Sequence, residues 1–114
     1  RLIFHESAES NMQFMLIAIA ANKLYKYIKD DQPGFMAFTC LYGEIKISII
    51  ELDGKTEVNS YEKVLNPGDI LYIPRKYWRQ TRAGANGAVY TESIEGKYDP
   101  SKRFQYEETS ASKR

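Results

Sequence analysis

Short apolar or alternating runs, each closed by turn residues, follow one another along this chain, and no long amphipathic helix pattern separates them. That spacing predicts an all-β sandwich or barrel rather than an α/β fold. Glu44–Leu52 is the clearest run: Ile45, Ile47 and Ile49 alternate with Glu44, Lys46 and Ser48, as a strand with one wet face requires. Asp53-Gly54 after it is the best tight-turn signal. Further strands are expected at Arg1–His5, Leu24–Lys29, Phe35–Tyr42, Ile70–Pro74, Tyr77–Thr81 and Ala88–Ile94. Thr56–Leu65 reads as a polar edge strand. Asp30–Gly34 and Asn66–Asp69 read as breaks, Arg75-Lys76 as a turn and Ala83–Gly87 as a small-residue loop. Met12–Ala20 is continuously apolar, so length and Phe and Ile content favour a buried strand while period alone leaves a helix open.

Size and charge narrow the classes further. The 114 residues suit one domain, with a barrel over 1–108 and a short tail at 109–114. Pro100–Tyr106 is expected to lie over the barrel. A net charge of +1 gives no field for nucleic acid or an anionic membrane, and Met12–Ala21 is too short to span a bilayer. The single Cys40 excludes an internal disulfide, and a reducing cytoplasm is the expected location. Cys40 lies in an apolar strand, where thiols are inert, and neither a P-loop nor GxGxxG is present.

The stretch Asn66-Pro67-Gly68-Asp69-Ile70-Leu71-Tyr72-Ile73-Pro74, followed by a turn and Tyr77-Trp78-Arg79, resembles the second motif of the cupins. Phe35–Gly43 with Glu44–Gly54 looks like the first. More narrowly the chain resembles the WbuC-type proteins of the RmlC-like cupin superfamily, found with bacterial O-antigen and capsule biosynthesis. The pieces that carry this are His5-Glu6-Ser7, Met15–Ala18, Leu52-Asp53-Gly54, Ile73-Pro74 with Trp78, Glu92-Ser93 and Gly96–Asp99. The resemblance implies a single-domain antiparallel jelly-roll barrel and a homodimer, for which exposed strand edges give a motive.

It also locates the metal site of such barrels, where two His, a Glu and a third His are usual. Those places fall near Lys29, Asp31, Met36 and Arg79, and the only histidine, His5, lies far off in sequence. Lys and Arg offer a metal only positive charge, and Met is a soft ligand. Neither a metal nor another cofactor is therefore expected.

In this alignment Arg79 enters the barrel, with Tyr77 and Thr81 on the same face by alternation and Trp78 on the opposite one. A buried guanidinium keeps its proton and needs an anion. Asp31 and Glu92 in an internal salt bridge, or a bound carboxylate or phosphate, both satisfy it, and an Arg79 on a shifted surface strand remains a third arrangement. Arg75, Lys76, Arg79 and Arg82 around Trp78 read as a diphosphate clamp or as a solvated turn. Tyr42, Tyr72, Tyr77 and Tyr90 read as a carbohydrate wall or as packing. His5 reads as a rim acid/base or as a strand-end hydrogen bonder.

The leading expectation is a non-metal binding protein of bacterial surface-polysaccharide metabolism. Its ligand would be a small anion such as a sugar nucleotide or sugar acid, held by Lys29, Asp31, Tyr77, Arg79, Tyr90 and Glu92. The alternatives are a sugar-nucleotide isomerase or epimerase using His5 or Tyr90, and an assembly subunit whose barrel is filled by its own side chains.

Overall fold

Alternation decides the apolar run that period left open. In the computed structural model of the chain, which describes residues 1–106, Gln13, Met15, Ile17 and Ile19 point inward from strand β2 (Met12–Ile19). The run is a strand, not a helix, because every residue in it pairs with the C-terminal half of β7 (Trp78–Glu95). The expected tail at 109–114, and the last two residues of the expected 1–108 span, lie outside the described residues.

Two long strands organise the fold. Phe35–Tyr42 and Glu44–Leu52 are one strand, β4 (Phe35–Asp53), and Tyr77–Thr81 and Ala88–Ile94 likewise join into β7. They pair antiparallel along almost their whole length, with register shifts at Cys40/Tyr42 and Gly43/Ile45. The N-terminal half of β4 with the C-terminal half of β7, and the C-terminal half of β4 with the N-terminal half of β7, therefore form the centres of two parts of one sheet, eight-stranded among the described residues. One carries β1 (Leu2–Ile3) and β2 against the C-terminal half of β7, with the N-terminal half of β4 and β6 (Ile70–Pro74) beyond. The other carries β5 (Thr56–Leu65), the C-terminal half of β4, the N-terminal half of β7, then β3 (Tyr27–Asp30) and β8 (Arg103–Tyr106).

Ala83–Gly87, expected as a loop, lies inside β7. Its small residues serve a close backbone crossing rather than a break. Gly43 and Gly87 both have positive φ, and a Cβ on Gly43 would stand 2.1 Å from the Gly87 carbonyl oxygen. Only glycine fits such an approach.

Buried Met15, Ile17, Met36, Phe38, Ile45, Ile47, Leu65, Ile73 and Ile94 form a core shared by both parts of the sheet. This is an all-β antiparallel jelly roll. Among the described residues the one helical turn is a 3-10 turn at Pro100–Lys102, capped by Asp99, which turns the chain into β8. Among the described residues no helix is long and apolar enough to cross a membrane.

Candidate functional site

β3 is short, and its register sets the site. Ile28 pairs with Arg79, and Asp30 with Arg103, so Ile28 and Asp30 face inward while Lys29 faces out. The expectation placed Lys29 and Asp31 inside and was off by one residue, which in a strand exchanges the two faces. Lys29 sits with its Nζ 5.2 Å from the Trp78 ring and 5.7 Å from that of Phe104. Asp31 is exposed.

Asp30 is the buried carboxylate, 1% exposed, and three arginines surround it. Arg103 donates from Nε to Oδ1 at 2.8 Å and from Nη2 to Oδ2 at 3.3 Å. Arg79 donates from Nη2 to Oδ2 at 3.3 Å, and Arg75 Nη2 lies 3.6 Å from the same oxygen. Burial works against the Asp30 anion, yet the Arg103 hydrogen bonds and the charges of all three arginines outweigh it and hold its pKa below the ordinary value. The same carboxylate raises the Arg103 pKa against the effect of burial.

Arg79 was expected inside the barrel, and the cluster of Arg75, Lys76, Arg79 and Arg82 was read as a diphosphate clamp or a solvated turn. Lys76 and Arg82 are exposed, but Arg75 and Arg79 are buried. Arg75 is a clamp: Nη1 donates to the Glu95 carbonyl at 2.8 Å and Nη2 to that of Lys97 at 3.0 Å. Gly96 between them has φ +92°, and a Cβ there would stand 2.9 Å from Arg75 Nη1. Arg79 donates from Nη1 to the Arg75 carbonyl at 3.2 Å. Burial pushes its pKa down, Asp30 and Glu92 oppose that, and the guanidinium stays charged.

Arg79 faces a cavity of about 160 Å³ to which both parts of the sheet contribute. Tyr90 and Glu92 line it from the C-terminal half of β7, Thr81 from the N-terminal half, Phe38 from β4 and Arg103 from β8. Arg1, Tyr25 and Lys26 stand at its edge. Burial pushes the Glu92 carboxyl above its ordinary range, against the charges of Arg79 and Arg103. Burial also raises the Tyr90 phenol, against a hydrogen bond with Thr81. Three guanidiniums face two carboxyl groups, Asp30 and Glu92, so the site carries excess positive charge.

Arg79, Tyr90 and Glu92 are thus together, while Lys29, Asp31 and Tyr77 are elsewhere. Tyr77, expected inside, is exposed on the rim of a second groove with Trp78. The Arg75–Trp78 turn places it outside the alternation that fixes Arg79. The four tyrosines make no common wall. Tyr90 is buried, Tyr72 stacks on Phe35 at 4.7 Å on the outer surface, and Tyr42 is exposed near the bend. His5 holds the β1–β2 turn: the Phe14 N–H donates to its Nδ1 at 3.1 Å.

The donor set does not fit a metal. Of the four aligned positions, Lys29 points out, Asp31 is exposed, Met36 is in the core and Arg79 is bound to Asp30. Among the described residues no three His, Cys, Asp or Glu side chains form a group that could hold an ion.

Residues 41–101, more than half of the sequence, match the family model described as the JmjC domain. The chain belongs to the JmjC domain family. Solved structures agree on the cupin fold of this JmjC-family chain. Oxalate decarboxylase from Bacillus subtilis superposes with a TM-score of 0.70 at 15% identity over 85% of this chain. Oxalate oxidase in complex with glycolate gives 0.64 at 16% identity over 75%. An RmlC-like cupin protein from Desulfovibrio desulfuricans gives 0.61 at 18% identity over 82% of this chain and 78% of its own. The JmjC-family chain spans 24% of the decarboxylase chain and 42% of the oxidase chain. At these identities the likeness shows the fold alone. No curated protein sequence matches significantly.

Asp30 and Arg103 were missed by sequence reasoning. Asp30 stands in an Asp-Asp-Gln-Pro-Gly run that reads as a turn, and Arg103 in a polar C-terminal stretch. The available signal was the apolar Tyr27-Ile28 pair, which extends strand alternation to Asp30.

Proposed function

We propose that this chain is a non-metal cupin-fold binding protein whose cavity takes one small anion against Arg79 and Arg103. The observation that carries the reading is the charge imbalance at a concave site. Arg75, Arg79 and Arg103 share the buried carboxylate Asp30, and two of the three also line the cavity, where Glu92 is the one carboxyl among the described residues. Bidentate guanidinium geometry suits carboxylate or phosphate.

Volume narrows the ligand class. Sites for drug-sized molecules run to roughly 300–1,000 Å³, and this cavity is about 160 Å³. A sugar acid or another small carboxylate fits better than a whole sugar nucleotide. Tyr90, Thr81 and Glu92 would orient its polar edges. The link to bacterial surface polysaccharides and a cytoplasmic location belong to the proposal, supported by the WbuC-type motif order and the lone thiol.

One observation favours a second reading, an isomerase- or epimerase-type enzyme. Glu92, with its pKa raised by burial, faces the same cavity as Tyr90 and is suited to hand over a proton. Incubating the protein with galacturonate, glucuronate and UDP-glucose and following each by NMR separates the readings. Chemical-shift perturbation without conversion supports binding, and new product signals support the enzyme. No perturbation by any anion, phosphate and oxalate included, overturns both and leaves the self-filled assembly subunit.

The proposed partner on the protein side is a second copy. The outer surface of the β1–β2–β7–β4–β6 part of the sheet carries exposed Met12, Phe14, Phe35, Leu41, Ile70 and Tyr72, with Glu95 at its rim. Exposed apolar surface of this extent marks an interface. The face, more than the strand edges, supports a homodimer. Light scattering behind size exclusion should read a dimer for wild type and a monomer for Tyr72→Lys. A wild-type monomer would contradict it.

A further inference from the structure

A second concavity lies apart from the cavity at Arg79. A groove of about 490 Å³ lies where the β4–β5 hairpin meets the turn before Trp78. We infer that this groove is a second binding site, for an acidic oligosaccharide about two sugar rings long. The inference does not rest on the Arg79 site.

Local backbone makes the groove. β5 pairs only with β4, and Thr56–Val64 are exposed throughout, so the hairpin stands clear of the core. The ladder slips between Glu51 and Leu52. A bulge of this kind bends a strand and re-aims its side chains, often beside a functional site. The hairpin bends next to Tyr77 and Trp78, and Ile50, paired with Trp78, contributes an apolar floor.

The walls select the ligand. Tyr61 and Tyr77 are 53% and 45% exposed and line the groove with aromatic surface of the kind that packs on the apolar face of a pyranose. Asn59 and Ser60 offer hydrogen bonds to hydroxyl edges. Lys29 and Lys76 stand against a single acid, Glu51. Lys29 is held in place by Trp78 and Phe104, so its charge is positioned before a ligand arrives.

A nucleotide fits less well. Its base would need the Trp78 face, which Lys29 already covers at 5.2 Å. Lysines act as point charges that suit the monoanionic carboxylate of a uronic acid, and among the described residues the groove's lining holds two lysines and no forked arginine of the kind that grips phosphate. The volume lies within the range of drug-sized ligand sites, roughly 300–1,000 Å³.

Trp78 is the only tryptophan, so its fluorescence reports on this groove. Titration of the intact protein with digalacturonate should give a saturable change. Tyr77→Ala and Lys76→Ala, both at exposed positions, should each weaken binding about tenfold or more while circular dichroism stays unchanged. Arg79→Met should leave the response in place. Cellobiose, which is neutral, and uridine monophosphate should bind far more weakly. The inference is overturned by an absent response to digalacturonate, by equal binding of cellobiose or the nucleotide, by unchanged affinity in both groove variants, or by loss of the response in Arg79→Met.

Discussion

Arg103 grips Asp30 at two points, Nε to Oδ1 at 2.8 Å and Nη2 to Oδ2 at 3.3 Å, and so ties β8 to the last residue of β3, its register partner on the adjacent strand. The pair is 73 residues apart in sequence. Arg79 and Arg75 reach the same carboxylate from β7 and from the turn before it. Asp30 therefore sets the position of the cation that faces the cavity.

Removing that carboxylate should be costly. Breaking a buried charge cluster by deleting one partner typically costs about 3–5 kcal/mol, because the remaining charges lose their counter-ion. Asp30→Asn should fall in that range by urea unfolding. Arg103→Lys loses the two-point fork but keeps a charge, and should cost about 1–2 kcal/mol. Equal costs for the two variants would contradict the shared-carboxylate arrangement.

The two carboxyls of the site have opposite pH dependence. Asp30 has a folded pKa below its unfolded value, so its stabilisation is present above that unfolded value, about 4, and is lost as pH falls through the folded pKa. Glu92 has a folded pKa above its unfolded value, so its folded state prefers the proton and stability declines as pH rises from about 4 through the folded pKa. Thermal unfolding of Glu92→Gln should show the acid loss intact and the decline on the alkaline side removed, with a neutral-pH Tm at or above that of wild type. A lower Tm at neutral pH would show that the ionised Glu92 stabilises the fold.

Close approach at the bend makes a third prediction. A methyl group on Gly43 would fall 2.1 Å from the Gly87 carbonyl oxygen, and that oxygen is backbone, which cannot rotate away. Gly43→Ala should lose more than about 3 kcal/mol or fail to fold. Gly54→Ala, at the hairpin tip with nothing within 4 Å, should cost only its positive φ, about 1 kcal/mol. Similar losses at the two positions would argue against the crossing.

The barrel was legible because its signals are local. Pro67-Gly68-Asp69 and Ile73-Pro74 mark a turn and a strand whatever the rest of the chain does, and alternation carries Tyr90 and Glu92 to one face of β7. The site was harder because its register is set at a distance. β3 has four residues, and pairing with Arg79 and with β8 decides which of Lys29 and Asp30 turns inward. Arg75 carries every local mark of a solvated turn and is buried only because 95–97 fold back to accept its hydrogen bonds. Arg103 stands in a stretch with no apolar pattern, and its role comes entirely from Asp30.

Calorimetric titration of wild type and Arg79→Met with oxalate and with galacturonate, at matched low salt, tests the central claim most directly. Arg75 and Arg103 remain to hold Asp30 in the variant, so circular dichroism and Tm can verify that it is folded. Saturable binding of at least one of these anions by wild type, weakened a hundredfold or about 2.7 kcal/mol in the folded variant, is the result expected. Wild-type binding that persists unchanged in Arg79→Met, or no binding of either anion by wild type, would contradict an anion site at Arg79.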